Sequence, residues 1–209
     1  MGRTQRERGC AVGIIENWGV TVDELNDILA SRPSLRGILI GFLAEYKLAK
    51  MWFSDARIHN VRRYDNHDRT RPGDFGLTYQ GRPITIQVKS LQSNSVRKTT
   101  TGYTGSFQCD ASDKRKVKLP NGKTVETTCL VVGGFDLVAV NLFEFGQEWR
   151  FAFAKNCDLP RSKSPKYTLE QQKYLLATGV KVTWPLETPF RDEPFGLLDE
   201  IVAKRRKSK

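Results

Sequence analysis

The chain has 209 residues, 34 Lys and Arg against 23 Asp and Glu, a formal net charge of +11 and 39% hydrophobic residues. That length suits one sizeable α/β domain or a domain with a small appendage, and the excess of positive charge favours a polyanionic partner. No run approaches the roughly 18 to 20 consecutive apolar residues of a membrane span, and the N-terminus lacks a signal-peptide core, so a cytoplasmic protein is expected. The four cysteines form no C-x-x-C pair and the two histidines sit on no ligand spacing, which argues against a zinc site, a serine-type triad and HNH-type chemistry.

Thr21 with Glu24 three positions later makes a capping box, so a short helix is expected over 21 to 30, with Leu25, Ile28 and Leu29 on its apolar side. Arg32-Pro33 breaks it, and Pro33 fits the first turn of a long helix over 33 to 52. A helix-turn-helix reader of DNA would have this order, but the second helix is apolar over most of its length and reads as a core helix. Ile38, Phe42, Glu45, Ala49 and Trp52 share one face at spacings of four, three, four and three. Glu45 thus lies inside an apolar stripe, where a carboxylate needs a base, a proton or a metal. The two partners to weigh are a buried Arg or Lys and a site at Asp74.

A strand follows over 57 to 64, carrying His59, and then a polar loop over 65 to 73 that holds His67 and Arg71. The runs 74 to 79 and 82 to 89 flank Gln80-Gly81, a two-residue hairpin turn in which glycine tolerates positive φ. If Tyr79 pairs with Arg82, Asp74 faces Gln87 across the hairpin. Strand alternation sends Ile84, Ile86 and Val88 to one side and Thr85, Gln87 and Lys89 to the other, so Asp74, Gln87 and Lys89 share a face. A carboxylate, an amide oxygen and an ammonium together suit a hard divalent cation and developing negative charge. A solvated hairpin face could carry the same three side chains with no function.

Residues 90 to 106 are rich in Ser, Thr and Gly and read as a mobile loop bearing Arg97, Lys98 and Tyr103. Lys114, Arg115 and Lys116 follow on a strand that turns at Asn121-Gly122, the tip of a basic hairpin. Apolar strands are expected over 128 to 132, 135 to 143 and 149 to 154, the second of them apolar on both faces and therefore interior. A packing helix over 168 to 177, capped by Thr168 and ended by Gly179, comes next. The basic end, 204 to 209, reads as a flexible tail. The expected organisation is one domain over 1 to 203, opening with a helical segment of about residues 1 to 31.

A Glu-bearing helix, a strand, an Asp at a hairpin and a Gln-x-Lys triplet together resemble the PD-(D/E)XK nucleases over roughly residues 33 to 91. The resemblance implies an α/β, restriction-endonuclease-like mixed central β-sheet flanked by α-helices. It implies that Asp74 and Gln87 hold Mg²⁺ or Mn²⁺, that Glu45 adds a ligand, and that Lys89 assists the attacking water. Two positions depart from the pattern: Gly73 stands between Pro72 and Asp74, and Gln87 stands where an acid is usual. Losing that charge weakens cation binding unless Glu45 compensates, although a Gln-x-Lys triplet is itself similar to the Mrr-like branch.

The expectation is therefore a metal-dependent endonuclease acting on double-stranded DNA, most simply a type II-like restriction enzyme. Cutting both strands requires two sites, hence a homodimer. Arg71, Arg97, Lys98 and Tyr103 would close over DNA, and Lys114, Arg115 and Lys116 would track phosphates; the same residues would equally serve an ordinary charged surface. A structure-specific nuclease such as a Holliday-junction resolvase, and a noncatalytic DNA-binding module of the same fold, are the alternatives.

Overall fold

The computed structural model describes residues 13–64 and 73–207, and by contact density the chain divides into two units, Met1–Ile40 and Gly41–Lys209. In the first unit, α1 spans Ile14–Asn17, α2 spans Val22–Ser31, and α3 begins at Pro33 and runs to Trp52. The capping box forms as expected: Glu24 N–H donates to Thr21 Oγ1 at 3.2 Å, and Thr21 N–H donates to the Glu24 carboxylate at 2.8 Å. None of residues 13–40 is buried.

The second unit contains β1 (Ile58–Arg63), β2 (Phe75–Tyr79), β3 (Arg82–Ser90), β4 (Arg97–Lys98), β5 (Tyr103–Gln108), β6 (Asp110–Lys118), β7 (Thr124–Cys129), β8 (Leu137–Asn141), β9 (Phe151–Lys155), α4 (Leu169–Gln172), β10 (Gly179–Trp184) and α5 (Phe195–Lys207). Its central sheet has the order β1-β2-β3-β8-β9, in which β3 and β8 run parallel and the other neighbours antiparallel. This is the mixed α/β architecture expected, with a mixed central sheet and flanking helices.

Both faces of the sheet are covered, which is why β8 is buried at every position. On one face Ile84, Ile86, Val88, Leu137, Ala139, Phe151 and Phe153 pack with Ala44 and Leu48 of α3 and with Leu197, Leu198 and Val202 of α5. On the other, Val138, Val140, Ala152 and Ala154 pack with Phe107 of β5 and with Val180 and Val182 of β10. That second layer is a three-stranded sheet ordered β10-β5-β4, and β6 and β7 form a separate two-stranded ribbon. Among the described residues no helix is long and apolar enough to cross a membrane.

The structure corrects several expectations. Within α3 the buried residues are Ala44 and Leu48, whereas Phe42 is exposed at 44%. Residues 90 to 106 are not a featureless loop: they hold a 3₁₀ turn, β4 and the start of β5, with Gln92 N–H and Ser95 Oγ both donating to the Ser106 carbonyl. Thr168 caps a helix, but it stops at Gln172, because Leu175 and Leu176 turn inward and Leu176 N–H donates to the Leu130 carbonyl. Gly179 opens β10 rather than closing a helix.

The basic residues Lys204, Arg205, Arg206 and Lys207 form the last turn of α5 and not a flexible tail; Ser208 and Lys209 lie outside the described residues. Glu193 accepts from the N–H groups of Phe195 and Gly196 at the start of that helix, and Tyr79 Oη donates to Asp199 at 2.8 Å along it. Arg205 fixes its end by donating to the Pro83 carbonyl at 2.6 Å and by pairing with Asp136. Basic side chains in a last turn also complement the helix dipole.

Candidate functional site

The hairpin closes in the register expected: Tyr79 pairs with Arg82 and Phe75 with Ile86, so Asp74 stands opposite Gln87. Gly73 sets the entry. Its φ is +79°, and a Cβ there would lie 2.7 Å from the Ile86 carbonyl oxygen, so only glycine fits without moving backbone. The residue that interrupts the familiar Pro-Asp pattern is thus the one that lets Asp74 N–H donate to Ile86 O at 2.8 Å. On the other side, Tyr64 N–H donates to Asp74 O at 2.8 Å, which clamps Asp74 between two strands.

Asp74 Oδ2 accepts from Gln87 Nε2 and from Val88 N–H, both at 2.6 Å. Burial pushes its pKa from 3.8 up to about 6; the Val88 N–H and the Lys89 charge pull it down, the Glu45 charge adds to the rise, and Arg63 opposes it. Gln87 therefore touches Asp74 through its amide nitrogen, and presenting its oxygen to a cation would require the amide to turn over.

Lys89 Nζ donates to the backbone carbonyl of Asp110, the first residue of the β6–β7 ribbon, at 2.9 Å. Burial raises the pKa of the Asp110 carboxyl, and the Lys89 charge acts against that rise. Glu45 pairs with a base, although not the buried one expected: Arg63 Nε lies 2.5 Å from its carboxylate, with the Arg63 side chain 50% exposed and that of Glu45 13%. Its charge still reaches Asp74. The fold therefore brings Asp74 and Gln87 into contact, holds Lys89 and Glu45 within electrostatic range, and gives each of these two a separate partner.

The residues expected to contact DNA divide into groups. Arg71 lies outside the described residues. Arg97 and Lys98 are exposed on β4, with Arg97 Nη1 donating to the carbonyls of Asn94 and Val96 at 2.8 Å. Tyr103 is not on a loop tip: it is half-buried and stacks on Phe145 at 5.5 Å between ring centroids. Lys114 and Lys116 are exposed on β6, and Arg115 between them is half-buried. Neither Arg63 nor Asp110 was legible as part of the site, because their roles depend on contacts 18 and 21 residues away that no local pattern announces.

No protein-family model and no curated protein matches the chain. The solved structure of a bacterial homing endonuclease, I-Ssp6803I, shows a distant likeness, at 15% identity and a TM-score of 0.36, covering 84% of this chain and 95% of that one. A likeness of that depth carries no activity across.

Proposed function

We propose that this chain is a Mg²⁺-dependent endonuclease of the restriction-endonuclease-like class, hydrolysing phosphodiester bonds in double-stranded DNA, with a type II-like restriction enzyme as the specific form. The observation that supports it best is the Asp74–Gln87 contact in the register that puts Lys89 on the same face, next to a carboxylate whose pKa is held up near 6 by burial.

Asp74, Gln87 and Glu45 are the residues that would hold the cation. Their donor chemistry suits it, since carboxylate and amide oxygens are hard ligands and Mg²⁺ is commonly bound by one or two carboxylates with waters and substrate oxygens completing the shell. Among the described residues no three His, Cys, Asp or Glu side chains are spaced to cage an ion, so the site would be an open one. When bound, the cation polarises a phosphoryl oxygen and lowers the pKa of water. Asp74 contributes the fixed negative charge, and Lys89 offsets charge developing on the phosphate and orients the attacking water. Arg97, Lys98, Lys114, Arg115 and Lys116 would hold the duplex through its phosphates.

Incubation of wild-type and Lys89→Ala protein with long mixed-sequence duplex DNA, in Mg²⁺ or in EDTA, tests this reading. Discrete Mg²⁺-dependent fragments are expected from the wild type, with the variant slowed about 10²- to 10³-fold, as for loss of one charge-stabilising group. Equal cleavage by both proteins would remove Lys89 from the site. One observation favours a second reading: Gln87 and Arg63 already satisfy Asp74 and Glu45, as in a noncatalytic DNA-binding module. Tight binding of DNA without cleavage in any divalent metal would favour that module.

A further inference from the structure

We propose that the open face of the β6–β7 ribbon enters the major groove and reads base edges, with Glu126 as the specificity-determining residue and cytosine as the base it selects; this inference rests on the duplex substrate proposed above. The ribbon has two unlike faces. On the inner one Val125 and Cys129 pack with Leu119 and Leu175, and Thr127, 1% exposed, meets Tyr167 Oη at 2.6 Å. At the tip Asn121 Nδ2 donates to Glu170 at 2.8 Å, and at the root the Asp110 carbonyl accepts from Lys89. The ribbon is therefore a braced arm that starts at the candidate site. A two-stranded ribbon is also an element that the major groove of B-DNA admits.

The outer face carries two rows of different chemistry. On β6, Lys114, Lys116 and Lys118 are exposed while Arg115 and Val117 between them are half-buried; on β7, Thr124 and Glu126 are exposed and Thr128 is half-buried. Lys116 stands opposite Glu126 and Lys118 opposite Thr124. Side chains two positions apart on a strand are ~6.8 Å apart, which is two nucleotide steps of ~3.4 Å, so the lysine row fits the phosphates of one DNA strand. The β7 row beside it has no cation. A carboxylate aimed at phosphates would repel them, whereas aimed at base edges it is an acceptor for the N4 amino group of cytosine, and the threonine hydroxyls serve donor or acceptor positions. Glu126, at the centre of a face that backbone attraction alone would leave basic, is what points to base reading.

Selection of bound duplexes from a randomised pool by the full chain, in EDTA and separately in Ca²⁺, tests this without any nuclease activity. Wild type should enrich a site with one position held to a C·G pair. Glu126→Ala should keep the rest of that site and lose the preference at that position by about 5- to 150-fold, the discrimination that one well-placed contact supplies. Glu126→Gln, whose amide suits adenine, should move the preference to A·T. Both changes fall at an exposed position, and far-UV circular dichroism checks the fold. If Glu126 only repels phosphate, both variants would gain affinity for every sequence alike with the enriched site unchanged, which would overturn the proposal. A wild type that binds duplex but enriches no site in either condition would also overturn it, while leaving the nuclease reading intact. An enriched site that depends on Glu126, without cleavage in Mg²⁺, would support base reading and remove the nuclease reading.

Discussion

Gly73 and Asp74 together show how one backbone angle and one buried carboxylate define a site. Because a Cβ at Gly73 would press on the Ile86 carbonyl at 2.7 Å and φ is +79°, Gly73→Ala should displace Asp74 from its place at the entry to β2 and destabilise the protein by about 1–3 kcal/mol. Urea unfolding measures it, and a change below experimental error would show that the hairpin entry is not constrained. Asp74 itself has a folded-state pKa near 6, above its ordinary 3.8, so the folded state binds the proton more tightly than the unfolded chain does. Its burial therefore destabilises the protein progressively as pH rises from 3.8 to 6 and fully above that. Asp74→Asn keeps an acceptor for Val88 N–H while removing the charge. It should raise the unfolding free energy above pH 6 by about 3 kcal/mol and leave it unchanged near pH 3. Mg²⁺ should narrow that gap by stabilising the wild type alone, and a gap independent of pH would show that Asp74 does not titrate as described.

Among the elements, the β2–β3 hairpin and α3 were readable because their signals are local: a two-residue turn, strict alternation, and a proline at a helix start. Other elements were fixed by distant partners. The helix expected over 168 to 177 ends at Gln172 because Leu175 and Leu176 form bridges with Val131 and Arg161, and tertiary pairing outweighs helix propensity. The alternation Val180-Lys181-Val182-Thr183 is a strand signal in plain view, and reading Gly179 as a helix stop conceals it. The end of α5 depends on Asp136, whose Oδ2 accepts from Thr85 N–H at 2.8 Å and from Thr85 Oγ1 at 3.1 Å while Oδ1 meets Arg205. Asp136→Ala should lower stability by about 1–3 kcal/mol, since it leaves the part-buried Thr85 N–H without its acceptor. Arg205→Ala should have a smaller effect, because that side chain is 41% exposed. Chemical denaturation of both variants checks the order, and a larger effect at Arg205 would contradict it.

For the chain taken in full the dominant quantity is charge, with +11 carried by residues 41–209. If this charge binds a duplex backbone, the logarithm of affinity should fall linearly with the logarithm of salt concentration. Replacing the exposed Lys114 and Lys116 by Ala should reduce that slope by about 2, roughly one unit per phosphate contact. Fluorescence titrations from low to physiological salt give the slope, and an unchanged value would take the β6–β7 ribbon away from the phosphates.

Periodicity and turn chemistry over a few residues were enough to specify the hairpin register, the face shared by Asp74, Gln87 and Lys89, the capping box at Thr21 and the interior character of β8. The partners of the charged groups came from packing alone. Arg63 reaches Glu45, the Asp110 carbonyl receives Lys89, and Arg205 anchors α5 on Asp136. Those pairings join segments far apart in the chain, and a charged side chain takes whichever partner the packed sheet brings near.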